Sequence, residues 1–309
     1  MRFSMHAPLG DVTPGQFQTM NAVRSIAGAF EAAGIDAAYV TDHPAPDAKW
    51  LHANDHDALE PFAALSFLAA ASTRLKLMSY LIVLPYRNPF LTAKSGATLQ
   101  VLSDGRFIMG CGGGYQKTEF DALGVDFHKR GDLFDEALEV IDLVWRAGAV
   151  TKQGRNFAAE GVEPRPVPVP RPSIWIGGSV EKAVHRAARW GDGWAPVFAA
   201  PTMTAVNRAT FIQSHEELRD KIAMVHDLRA ALGRTGPFEV SIPAREQPRV
   251  GTAGGADHYL EALARLGEIG VTWAMIDLPH PSLAAFLDNV RWFGEEVVPR
   301  VKTEPASAE

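Results

Sequence analysis

The stretch PSIWIGGSVEKAVHRAARWGDGW, residues 172–194, decides the fold. "SIWIGG" is a short apolar run ending in two glycines, "SVEKAVHRAARW" has the spacing of an amphipathic helix, and "GDGWAPV" breaks that helix and starts a second apolar run. Strand, turn, helix and strand in that order form a βαβ unit, which requires a parallel sheet. The turn also carries a chemical suggestion. Gly177 and Gly178 let a ligand approach the main chain, and Ser179 is placed to cap the helix or to turn its hydroxyl toward a phosphate. The start of a helix adds unpaired N–H groups and partial positive charge. The plain alternative is a glycine turn with a serine cap that binds nothing.

The same alternation extends in both directions. Strands are predicted at 2–8, 37–43, 75–85 and 106–114, each followed by a helix, at 17–34, 61–72, 88–103 and 129–148. After 172–194 come a helical region around 208–233, a strand at 238–245, a helix in "ADHYLEALARLGEIG", a strand at 272–279 and a closing helix at 282–298. Only 149–171 breaks the rhythm, because "EPRPVPVPRP" cannot form helix or central strand. Counting the short "GWAPV", eight strand–helix units result, and near-continuous apolar strands are those of a parallel sheet covered on both faces. The expectation is an α/β fold, a (β/α)8 TIM barrel in one domain over 1–302, with an extended loop around 149–171 and a disordered tail at 303–309. A doubly wound open sheet is the rival.

Composition narrows the class. A net charge of −6 over 309 residues speaks against a nucleic-acid partner. No apolar run reaches the roughly 20 residues needed to span a bilayer. "MRFSMHAPLG" lacks the apolar centre of a secretory signal, so a cytoplasmic protein is expected. The single cysteine, Cys111, excludes an intrachain disulfide and any C-x-x-C site.

In such a barrel, chemistry belongs where strands end and βα loops begin. That rule selects His6, Asp42 with His43, the 79–88 segment, Gly112 to Tyr115, Gly177 to Ser179, Arg245 and Asp277. "GCGGGYQ" is neither a dinucleotide fingerprint, since Tyr115 stands where the third glycine belongs, nor a Walker loop. Its glycines make room for a flat ring or a phosphate, or else serve close packing. His43 is of the type that hydrogen-bonds a cofactor or moves a proton near neutral pH, against the reading of a satisfied structural histidine. His6, Asp42, His43, His52 and His56 sketch a metal site, but no H-x-H ends the first strand, and no metal is expected. In "SYLIVLPYRNP", Pro85 closes the strand and Arg87 offers a cation at the mouth.

At these residues the chain resembles the luciferase-like monooxygenase superfamily, in particular its branch dependent on deazaflavin coenzyme F420. The resemblance runs through "YVTDH", "LIVLPYRNPFLTAKSGATLQVLSDGRFIMGCGGGY", "EFDALGVDFHKRGDLFDEALEVI", "PSIWIGGSVEKAVHRAARWGDGW" and "GVTWAMIDLP", in that order. It implies a barrel with a flavin or deazaflavin in its mouth. It implies a non-prolyl cis peptide at Tyr80–Leu81 or Leu81–Ile82, so that Tyr80, Leu81 and Ile82 support the ring. By the same resemblance Gly112, Gly113, Gly114 and Tyr115 wall the ring, Gly177, Gly178 and Ser179 hold the phosphate, and Asp42 and His43 face the reactive side as the catalytic pair. The sugar-phosphate dehydrogenases of this branch carry a catalytic glutamate where Tyr115 stands, so that activity is not expected and acid–base work falls to His43 or to a substrate group.

The resulting expectation is an F420-dependent oxidoreductase transferring hydride to or from a small organic molecule. The alternative is an FMN-dependent monooxygenase fed by a flavin or F420 reductase, and a remote third is a cofactor-free binding barrel. A homodimer is expected, with Trp292 and Phe293 as aromatics that serve either its interface or the core.

Overall fold

A computed structural model describes residues 1–10, 16–54, 56–146, 149–199 and 210–302. Its strands are β1 (Arg2–His6), β2 (Ala37–Val40), β3 (Lys76–Val83), β4 (Phe107–Gly112), β5 (Val150–Lys152), β6 (Ala159–Val162), β7 (Ser173–Gly177), β8 (Gly193–Ala195), β9 (Glu239–Pro243) and β10 (Trp273–Ile276). Its helices are α1 (Met20–Ala32), α2 (Ala48–Asn54), α3 (Pro61–Ala71), α4 (Pro89–Leu102), α5 (Lys117–Ala122), α6 (Arg130–Arg146), α7 (Glu181–Trp190), α8 (His215–Ala231), α9 (Asp257–Glu268), α10 (Leu283–Glu296) and α11 (Val298–Lys302). Strands β1, β2, β3, β4, β7, β8, β9 and β10 close a parallel barrel, with β1 hydrogen-bonded to both β2 and β10. All eight strands expected from the sequence take part, and the open-sheet rival is excluded by that closure.

Strand alternation sorts side chains into two cores. Leu77, Met109, Ile174 and Ile242 point outward into the large core shared with the helices. Their neighbours Met78, Ile108, Trp175, Trp273 and Met275 point inward and form a separate cluster with Tyr39. Trp175 and Trp273 meet edge to face at 5.3 Å and fill the lower barrel. This explains Gly193 on β8, where a Cβ would lie 2.8 Å from the Trp175 ring. Tyr39 and Tyr80, 5.6 Å apart, form the top inner layer. Among the described residues the barrel is therefore filled below that layer and open above it.

Three local features escaped the sequence reading. Helices α2 and α5 are too short to show a period, and 149–171 is more than a loop: β5 and β6 pair there as an antiparallel hairpin, followed by cis Arg165–Pro166 and Val169–Pro170. Phe293 is core, fully buried and edge-on to Phe3 at 5.4 Å, while Trp292 packs partly against the same core. The tail at 303–309 lies outside the described residues.

Candidate active site

Above the tyrosine layer, at the C-terminal ends of the strands, lies one open cleft of about 2360 Å³. One wall is the turn after β7. Gly178 there has φ +109°, a conformation that disfavours any side chain, and the turn leads directly into α7. The N–H groups of Ser179, Val180, Glu181 and Lys182 make no hydrogen bond with the described residues, and the helix cap at Val180 has no side-chain partner. Four free amides at a helix start make an anion cradle. The expected role of the Ser179 side chain is corrected. Its hydroxyl is buried, donates to the Val197 carbonyl at 3.0 Å and accepts from the Val197 N–H at 2.9 Å, so it neither caps α7 nor faces the cleft. Ser179 contributes its main chain. The Gly178 carbonyl is taken by the Trp194 indole at 2.8 Å, which fixes the turn.

The floor is the end of β3. Its peptide Tyr80–Leu81 is cis, and the pairing with β4 shifts between Ser79 and Ile82. Tyr80 and Leu81 line the cleft, whereas Ile82 is fully buried among the outward core and is corrected from ring support to packing. Leu81 also explains two glycines. A Cβ on Gly177 would lie 2.0 Å from its Cδ1, and one on Gly112 would lie 3.0 Å from the same atom. These glycines accommodate Leu81, and Gly112, Gly177 and Leu81 all line the cleft. Gly113 and Gly114 line the cleft themselves; Gly114 has φ +72°, and a Cβ there would meet Val83 at 2.6 Å.

The catalytic expectation for Asp42 is corrected as well. Asp42 is 3% exposed, and its carboxylate receives Arg87 Nη2 at 2.7 Å, Arg87 Nε at 3.1 Å and the Val83 N–H at 3.0 Å. With three of its acceptor positions taken, this carboxylate ties the end of β2 to the end of β3 and serves as a structural anchor. Arg87, expected to offer a fixed cation at the mouth, is engaged here and by Glu60 at 3.1 Å.

His43 is different. Its Nδ1 lies 3.3 Å from Glu119 Oε2 and 3.4 Å from the Gln116 amide nitrogen, while Nε2 makes no hydrogen bond with the described residues. The ring lines the cleft between Trp50, at 4.7 Å, and Tyr115, at 6.0 Å. Glu119 is 3% exposed and also accepts from the Ala45 N–H at 3.4 Å; Gln116 accepts from the Asp47 N–H at 3.1 Å. Glu119, the partner of the cleft residue His43, is a candidate site residue that the sequence reading missed. Its signal was the spacing of Gln116 and Glu119, which one helical turn brings to a common face. Tyr115 itself is exposed at the rim.

A second histidine–carboxylate pair stands across the cleft. His6 Nδ1 lies 3.3 Å from Asp277 Oδ1. His56 sits between the two pairs, its ring 5.5 Å from His43 and 6.4 Å from His6. Burial first, then the charges of His43 and His6, lower its pKa to about 4, so its imidazole is neutral at physiological pH. Burial works to raise the Asp277 carboxyl, but the hydrogen bond and charge of His6 leave it below the ordinary value. Among the described residues no three of these groups are arranged to hold a metal ion. Arg245 lies outside the cleft, donating to the Gln213 carbonyl. Cys111 is buried, and burial pushes its thiol far above the usual range, so it is a packing residue.

Known proteins share this architecture. The family model described as luciferase-like monooxygenase matches residues 1–235. The F420-dependent glucose-6-phosphate dehydrogenase of Beutenbergia cavernae is 28% identical over 318 residues, covering 88% of this chain and 90% of its own. Among solved structures, an F420-dependent secondary alcohol dehydrogenase in complex with an F420–acetone adduct superposes with a TM-score of 0.77 at 18% identity, over 97% of this chain and 99% of the other. A monooxygenase from Streptomyces bottropensis gives a TM-score of 0.75 at 17% identity, over 97% and 100%. No helix among the described residues is long and apolar enough to cross a membrane.

Proposed function

The chain belongs to the luciferase-like monooxygenase family, and from that premise we propose that it is an oxidoreductase moving a hydride between coenzyme F420 and a small organic substrate. His43 carries this reading: its Nδ1 is held by Glu119, which leaves Nε2 free in the cleft. An imidazole so fixed takes the proton of an alcohol as it becomes a carbonyl, or returns it in the reverse direction. The buried Glu119 carboxylate steadies the imidazolium formed on the way. A bound deazaflavin supplies the two-electron chemistry, and the protein supplies position and dryness.

The residues present fit that group. The amides of Ser179, Val180 and Glu181 suit a phosphate, and Tyr80 and Leu81 offer a flat ledge at the cleft floor for a ring system. Gly113, Gly114 and Tyr115 border the same space. The F420-dependent relatives support deazaflavin over flavin. Tyr115 at the rim argues against a sugar phosphate and for a smaller substrate among Trp50, His56 and Tyr115.

The test is titration of the protein with F420 and with FMN, followed by an anaerobic alcohol and ketone screen with the cofactor that binds. Binding of F420 with hydride exchange supports the proposal. Tight FMN binding with oxygen uptake would replace it with a reductase-fed monooxygenase, and no binding of either would leave a cofactor-free barrel. We also propose a cytoplasmic homodimer, which sedimentation of the purified protein checks.

A further inference from the structure

In the closed strand order β7 lies four positions from β1, so the phosphate cradle and the end of β1 face each other across the barrel mouth. The two sides differ in charge. Among the described residues, the lysines and arginines lining the cleft stand on α6, α7 or the β5–β6 hairpin, except Lys117, which is paired with Asp121 at 2.6 Å. The side built from the ends of β10, β1, β2 and β3 is lined by acids instead. Asp277 and Asp47 face the cleft there, and the buried Glu119 stands hydrogen-bonded to His43. Asp42 is already balanced by Arg87.

Three groups on this side offer an acceptor that nothing fills. Asp277 gives Oδ1 to His6 at 3.3 Å, but its Oδ2 makes no hydrogen bond with the described residues. His56 makes none either, and its neutral imidazole keeps one lone pair. Tyr39 is only 7% exposed and reaches the cleft from the inner layer. Its hydroxyl is also without a hydrogen bond among the described residues, and burial, then the Asp277 charge, keep it protonated. Aromatic faces stand close by, with Trp50 5.8 Å from His56 and 6.2 Å from Tyr115. A positive group with several N–H donors and no acceptor satisfies all three at once, and that group is an ammonium. The rings add cation–π attraction. A carboxylate or phosphate would meet Asp277 and Asp47 as like charges, and a neutral hydroxyl would leave the Asp277 charge without a counter-charge.

We propose that the substrate carries an ammonium group seated against Asp277, Tyr39 and His56, with its carbinol at His43. The substrate class is therefore an amino alcohol, or the amino ketone in the reverse direction. The inference rests on the hydride-transfer reading above and adds the substrate class to it. In the oxidation the carbinol C–H bond breaks and its electron pair leaves as hydride to the oxidised deazaflavin. The O–H proton passes to His43 Nε2, a C=O bond forms, and the ammonium is unchanged. Asp277 sets specificity by charge and takes no proton in the reaction.

The experiment uses three probes that share a carbinol and differ in charge on the neighbouring carbon: 1-amino-2-propanol, 1,2-propanediol and lactate. Saturation-transfer NMR follows their binding at about pH 7.5 and up to about 100 mM, with and without F420. The wild type, Asp277→Asn and Tyr39→Phe are compared, with circular dichroism as the folding control. The wild type is expected to bind the amino alcohol at least about tenfold more tightly than the diol, and lactate least. In Asp277→Asn that preference falls below about threefold while the diol stays within about twofold, and Tyr39→Phe lowers it by a smaller factor. With F420 bound, the amino alcohol is expected to reduce it, and Asp277→Asn raises KM about tenfold with kcat within about threefold. No binding of the amino alcohol, binding no tighter than the diol, or a preference undiminished in Asp277→Asn overturns the ammonium site and leaves the F420 reading standing. Bound amino alcohol that fails to reduce bound F420 overturns its assignment as substrate class. An ammonium preference without F420 binding overturns the cofactor reading alone.

Discussion

Removing Arg87 tests whether Asp42 is architecture or chemistry. In Arg87→Leu the Asp42 carboxylate loses contacts at 2.7 and 3.1 Å and keeps only the Val83 N–H, in a site where Asp42 is 3% exposed. Breaking such a pair by deleting one partner costs about 3–5 kcal/mol, because the remaining charge is buried without a counter-ion. The rim contact to Glu60, whose side chain is 49% exposed, adds under about 1 kcal/mol. With a urea dependence of about 3 kcal/mol per molar, the unfolding midpoint should fall by about 1–1.7 M. Asp42→Asn/Arg87→Leu should recover about 2 kcal/mol of that, since the carboxamide oxygen still accepts from Val83 N–H without a buried charge. Glu60→Gln alone should move the midpoint by less than about 0.3 M. Tryptophan fluorescence and circular dichroism during urea unfolding provide the readout. A loss below 1 kcal/mol in Arg87→Leu, or no recovery in the double variant, would refute an architectural Asp42.

His43→Gln should lower turnover by about 10²–10⁴-fold while leaving cofactor affinity within a few-fold, checked by stopped-flow reduction beside fluorescence titration. His56 binds its proton only near pH 4 in the folded protein and near its ordinary 6.5 when unfolded. Between those values the unfolded chain holds more protons, so stability falls as pH drops from 6.5 toward 4. His6, His43, Trp50 and Asp277 surround this ring, and urea midpoints at pH 4.5, 6 and 7.5 should show a flatter curve for His56→Gln. Ser179→Ala should cost about 1 kcal/mol, by removing both hydrogen bonds to the half-buried Val197 main chain, without weakening phosphate binding directly; the paired measurements are a melt and an FMN or F420 titration. Gly193→Ala should destabilise by about 1–3 kcal/mol by crowding Trp175, visible as a shifted tryptophan emission and a lower Tm.

The barrel was legible because each unit repeats one physical pattern: an apolar run such as "SIWIG", a turn, and an amphipathic helix. Helices α2 and α5 were not, since six or seven residues hold too little of a period. The site was legible to the level of strand ends. His43 and the turn at Gly177–Gly178 were singled out because their residue types have few uses there, and both line the cleft. The errors share one cause: a sequence shows which groups are near the mouth but not which neighbour has already engaged them. Arg87 engages Asp42, Val197 uses up the Ser179 hydroxyl, and the register shift between Ser79 and Ile82 turns Ile82 into the outer core. Glu119 was missed for the converse reason, because its partner His43 lies 76 residues away.

Leu81 seated over Gly112 and Gly177 binds three neighbouring strands, β3, β4 and β7, into a single fitted joint. Anyone reshaping this enzyme for new substrates should therefore vary positions 81, 112 and 177 together. A smaller residue at 81 opens a hole that either glycine could then grow to fill, whereas enlarging a glycine first leaves Leu81 nowhere to go.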